Sequence, residues 1–155
     1  MISLVTRNER RENFLLVTRH SSLVTMITIL QKIPFFSALP EADLKAIVEK
    51  IQMEYYPANY TLFNQGDAGE VMYVIKRGKV SVERNGAAIA RLQDNDFFGE
   101  MALVSNEVRN ATIKTVTEVE LLTLHKKDFT DLMSTNPTIA STVSYEVVRR
   151  ANQND

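Results

Sequence analysis

Along the chain the spacing of apolar positions changes twice. In the front part, Leu23, Met26, Ile27, Leu30 and Ile33 recur at intervals of mostly three and four, which predicts a helix over residues 22–32. Residues 34–40, bounded by Pro34 and Pro40, break it. Leu44, Ile47, Val48 and Ile51 then mark a second helix, with Pro40 near its first turn and Glu41 and Asp43 at its positive end. From residue 57 to 124 the period shortens to two. Residues 61–63, 71–75, 79–83, 87–92, 112–116 and 120–124 read as short strands. Asn85-Gly86, between two of them, predicts a type I′ hairpin turn. Helical spacing returns over 128–133 and, after Pro137, over 138–151, where Ile139, Val143, Val147 and Arg150 share one side.

The five glycines, Gly66, Gly69, Gly78, Gly86 and Gly99, all fall in the central stretch, and none lies in residues 1–33 or 138–155. Short strands between turns need their sheet edges closed, and a β jelly roll does that. The expected fold is therefore α+β: a helical segment over 1–33, then a domain over 34–155 with a jelly roll at 57–125 and C-terminal helices at 126–152.

Composition narrows the function classes. The 155 residues suit one domain with helical flanks, and a 45% hydrophobic content is enough for a proper core. With 18 Lys+Arg against 19 Asp+Glu, a strongly basic nucleic-acid binder is not expected. The absence of cysteine excludes disulfides, thiolate zinc sites and cysteine nucleophiles, and fits a cytoplasmic setting. His20 and His125 are too few for an imidazole metal site, and there is no Walker loop, dinucleotide fingerprint or convincing Ser-His-Asp arrangement. Neither a metal nor an enzyme activity is expected. The most apolar run, residues 14–30, is interrupted by Arg19 and His20, so no membrane span is expected either. Residues 1–33 carry Arg7, Arg10, Arg11, Arg19 and Lys32 against Glu9 and Glu12, which reads as a solvated face or as a contact surface for a partner or another subunit.

One interval, residues 97–111, breaks the alternation inside the β region. Gly99 precedes Glu100, Met101, Ala102 and Leu103, which read as a short helix, and Arg109 follows a loop. A helix start offers free N–H groups, Gly99 leaves room for close approach, and a guanidinium can grip two oxygens at once. Together these suit one phosphate, with Glu100 accepting a hydrogen bond from a neighbouring hydroxyl. The alternative is that Arg109 and Glu100 pair with each other, or with Asp96 and Glu107.

The run Phe98-Gly99-Glu100-Met101-Ala102-Leu103, five residues, then Arg109-Asn110-Ala111-Thr112, resembles the phosphate-binding cassette of cyclic nucleotide-binding domains. Leu62-Phe63, Gly66-Asp67, Met72-Tyr73 and Gly78-Lys79-Val80 resemble the strands before it, so the likeness spans roughly residues 33–150. It looks most like the domains of bacterial cyclic-nucleotide-gated channels. The resemblance implies a jelly roll that binds cAMP or cGMP. It implies that the backbone at Gly99, Glu100 and Ala102 meets ribose and phosphate, that Met101 lies within this contact, and that Glu100 accepts the ribose 2′-hydroxyl. It also implies that Arg109 pairs with the cyclic phosphate beside the N–H of Ala111, and that Val82, Ala90 and Leu92 wall the purine. Those three are equally ordinary core positions. By register an arginine on the last helix, Arg150 or its neighbour Arg149, would cover the base. Asn110 departs from the alanine, serine or threonine usual after the arginine, and so leaves the base preference open.

The expected function is a cyclic nucleotide sensor, cAMP before cGMP, that moves its flanking helices to regulate an attached or partner effector such as an ion channel. The alternative is a ligand-free domain kept for protein interaction. No DNA-reading helix-turn-helix is expected after the last helix. Whether copies assemble into a homo-oligomer is left open.

Overall fold

A computed structural model describes residues 21–153. The charged run around Arg7 to Glu12, and any helix ahead of residue 21, lie outside the described residues. Helix α1 (Ser21–Gln31) leads through a 3-10 turn (Pro34–Phe36) to α2 (Glu41–Val48). Eight strands follow: β1 (Gln52–Tyr56), β2 (Thr61–Phe63), β3 (Val71–Arg77), β4 (Val80–Arg84), β5 (Ala87–Leu92), β6 (Phe97–Phe98), β7 (Thr112–Thr115) and β8 (Val119–His125). Helices α3 (Lys126–Thr135) and α4 (Pro137–Gln153) close the order. The strands form two four-stranded antiparallel sheets, β1-β8-β3-β6 and β2-β7-β4-β5, facing each other as a jelly roll.

Two strands escaped the pattern. β1 precedes the expected start of the β region, because Glu54 and Tyr56 sit opposite the inward Leu121 and Val119, so its polar positions point the wrong way for an apolar-in rule. Ile51, expected on the helical stripe, lies past the end of α2. β6 has two residues, too few for any period. Asn85 and Gly86 both take positive φ, 52° and 82°, as the hairpin turn requires.

β3 shows why the first sheet reads as a continuous apolar run. Met72 and Val74 pack against the helices, while Tyr73 and Ile75 face the second sheet. β8 divides in the same way, Leu122 and Leu124 against Val119 and Leu121. The helices cover one face of that sheet around Phe36 and Phe129, whose rings meet edge-on at 5.4 Å between centroids. Met26, Leu30 and Ile33 of the front segment share this core with Ile139 and Val143 of α4. The second sheet has one face on the interior, at Val80 and Ile113, and leaves Lys114 and Arg91 exposed on the other.

Candidate functional site

β6 ends at Phe98 and the chain turns at Gly99, whose φ of 75° is left-handed and favours glycine. Glu100–Leu103 form one 3-10 turn rather than an α-helix. The N–H groups of Glu100 and Met101 find no partner within it. The N–H of Ala102 does: it donates to the Gly99 carbonyl at 3.1 Å. Of the three backbone positions expected to face a ligand, Ala102 therefore has its donor already engaged.

The chain then returns alongside the loop at residues 66–69. Arg109 N–H donates to Asp67 O at 2.7 Å, Gly66 N–H donates to Arg109 O at 2.7 Å, and Val108 bridges Ala68. These bonds fix the backbone and send the Arg109 side chain inward, where the residue is only 9% exposed. Its guanidinium carbon lies 4.0 Å from the centre of the Phe63 ring, and Nη2 donates to Val71 O at 2.8 Å. Nε is buried without a partner among the described residues. A buried donor left unmatched costs about 1–3 kcal/mol, and here that donor lies against Gly69. Burial pulls the Arg109 pKa down, and the charges of Tyr73 and Asp67 push it back up.

Neither alternative pairing occurs. Among the described residues Arg109 forms no ion pair, and neither Glu100 nor Glu107 has one. The Asp96 carboxylate instead accepts the Gln93 N–H at 2.8 Å. Gly99 and Gly69 leave room for the arginine side chain. A Cβ on Gly99 would lie 2.7 Å from Arg109 Nη1, and one on Gly69 would lie 2.6 Å from Nε. Sequence reasoning missed Gly69, because its φ is not left-handed and its need for smallness comes from a residue forty positions away.

A cavity of about 300 Å³ opens beside the arginine, at the lower end of the range of small-molecule ligand sites. Gly99, Glu100, Met101, Ala102, Arg109, Asn110 and Ala111 line it on one side, and Val82 and Leu92 on the other. Ala111 is buried, while Met101 and Asn110 are exposed at the rim. Ala90 pairs with Val82 across the hairpin but is exposed and does not line the cavity. The Arg150 side chain lies outside the described residues. Arg149 is held by Glu146, with Nη2 to Oε2 at 2.9 Å. Phe63 and Arg84 line the cavity too, and neither was expected there. No cluster among the described residues could hold a metal ion.

The profile of the family described as "Cyclic nucleotide-binding domain" matches residues 53–136, more than half of the chain. The chain belongs to this family. It is similar to a cyclic nucleotide-gated potassium channel of Rhizobium etli, 34% identical over 85% of this chain and 37% of the channel. A cAMP-dependent protein kinase regulatory subunit of Schizosaccharomyces pombe is 34% identical over 68% of this chain and 26% of that protein. The cyclic nucleotide-binding chain thus spans well under half the length of these relatives. Among solved structures, the N-terminal domain of a transcriptional regulator from Streptomyces coelicolor A3(2) superposes with a TM-score of 0.72 at 27% identity, covering 82% of this chain and 94% of that one. The α+β jelly roll is the architecture of the family. No described helix is long and apolar enough to cross a membrane.

Proposed function

We propose that this domain is a cytosolic sensor that binds a purine 3′,5′-cyclic nucleotide, cAMP before cGMP, and reports it to an attached or partner effector such as an ion channel. The observation that carries this reading is Arg109: a largely buried guanidinium lining a cavity of about 300 Å³, with no carboxylate paired to it among the described residues. Its charge suits the single negative charge of a cyclic phosphodiester. The free Glu100 carboxylate beside it would accept a ribose hydroxyl, and the purine would lie on Val82 and Leu92. That apolar wall favours the base with fewer polar edges to desolvate, which is adenine. Arg150, on the last helix, would cover the base. The role is binding rather than catalysis.

A route to the helices starts at the end of the cassette. Lys126, first residue of α3, donates through Nζ to Ser105 O at 3.0 Å and to Asn106 Oδ1 at 2.6 Å, and its N–H donates to Glu70 O at 2.8 Å. A ligand that draws residues 99–109 inward acts on that junction. It shifts the helices only as far as it prefers one arrangement over the other, typically about 1–3 kcal/mol.

Calorimetric titration with cAMP and cGMP, on the wild type and on Arg109→Ala, tests the reading. One nucleotide per chain is expected for the wild type, cAMP the tighter, with binding severely weakened in the variant. Equal binding by both proteins discards the assignment, and tighter cGMP binding discards the preference.

A further inference from the structure

The cavity contains a second arginine that neither the motif nor the family match assigns. The β4–β7 register sets Val82 opposite Ile113 and Glu83 opposite Thr112, so Arg84, the next residue, stands beside Ala111. Its Nε donates to the Asn110 carbonyl at 3.1 Å, and this is its only polar contact among the described residues. It forms no salt bridge, although the carboxylates of Glu100 and Glu107 line the same cavity. The carbonyl fixes the inner end of the guanidinium and leaves both terminal nitrogens as donors.

The placement separates Arg84 from the purine wall. Val82 and Leu92 lie further along the hairpin, whereas Arg84 flanks the backbone of Asn110 and Ala111, next to Arg109 itself. Arg109 comes from the buried side with Nη2 already donated to Val71 O. Arg84 comes from the exposed side. A singly charged phosphodiester between them would be gripped by a buried and a solvent-facing cation, with Glu100 left to the ribose.

We propose that Arg84 is a second phosphate-binding residue, one that strengthens binding without reading the base. This rests on the cyclic nucleotide reading above. Because the side chain is exposed, its contribution is that of a screened surface pair, about two- to fivefold in affinity, and it declines with added salt.

The test is titration of the wild type, Arg84→Gln and Arg84→Lys with cAMP and with cGMP, at low and at high salt. Arg84→Gln should weaken both nucleotides by the same factor at low salt and by less at high salt. Arg84→Lys should recover part of the loss, and the ligand-free melting temperature should stay the same in all three. Unchanged affinity in Arg84→Gln overturns the proposal, and so does a loss confined to one nucleotide, which would make Arg84 a base reader. A wild type that binds neither nucleotide removes the cyclic nucleotide reading itself. Wild-type binding with an indifferent Arg84→Gln removes only the role of Arg84.

Discussion

Between the helices and the first sheet, Leu30, Ile33, Phe36, Leu44, Ile47, Phe129 and Ile139 are fully buried, and the buried Glu146 of α4 is paired with Arg149 at 2.9 Å. Between the two sheets, Tyr73, Ile75, Val80 and Phe98 share the interior with Arg109, Thr115 and Thr123. The first region only has to hold. The second encloses the Arg109 guanidinium, which has no carboxylate paired with it among the described residues. Stability and recognition therefore lie on opposite faces of one sheet, and variants on the two faces should fail in different ways.

The largest effect is expected in the helical layer. Phe129→Ala should destabilise the chain by about 3–5 kcal/mol in urea unfolding, while the protein that remains folded keeps its nucleotide affinity. A large affinity loss in the folded protein would merge the two regions into one. Arg109→Met reverses the signature. Its unfolding free energy should stay within about 1 kcal/mol of the wild type, because a costly buried cation is removed with a single bond to Val71 O. Cyclic nucleotide affinity should drop by roughly tenfold or more, the value of a hydrogen bond to a charged group.

Gly69→Ala is the sharper probe of how the arginine is held. The added methyl overpacks Nε, a cost of about 1–3 kcal/mol. That cost should shrink in the Arg109→Met background, where the flexible side chain can yield, and equal costs in both backgrounds would put the glycine's role elsewhere. The smallest effect is on Tyr73, whose ring stacks on Phe98 at 5.0 Å. Burial raises its phenol pKa, and the positive charge of Arg109 holds part of that rise back. Removing the charge in Arg109→Met should move the tyrosinate absorbance transition to still higher pH. A shift downward would mean that the guanidinium does not act on this ring.

How much of this the sequence carried depends on how local each cause is. The alternation over 79–83 and the Asn85-Gly86 turn are short-range, and both elements stand where the pattern put them. The cassette was legible as a motif of fixed length, and Gly99, Glu100, Arg109 and Ala111 do meet around one cavity. β1 was hidden because Glu54 faces the jelly-roll interior, where Thr123 donates to its carboxylate at 3.1 Å, a relation set by residues 69 positions apart. Arg84 and Gly69 were hidden for the same reason. Their roles arise from a strand register and a close approach, neither of which leaves a periodic trace. Ala90 was legible in register only: it pairs with Val82, which lines the cavity, yet Ala90 itself is exposed and does not line it.

The second sheet, with one face on the cavity and the other in water, has an evolutionary corollary. Val82 and Leu92 pack on the interior between the sheets rather than on the helical core, so a descendant could trade these side chains for others while inheriting its helical layer intact. The first sheet enjoys no such freedom, since each strand there answers to two neighbours at once.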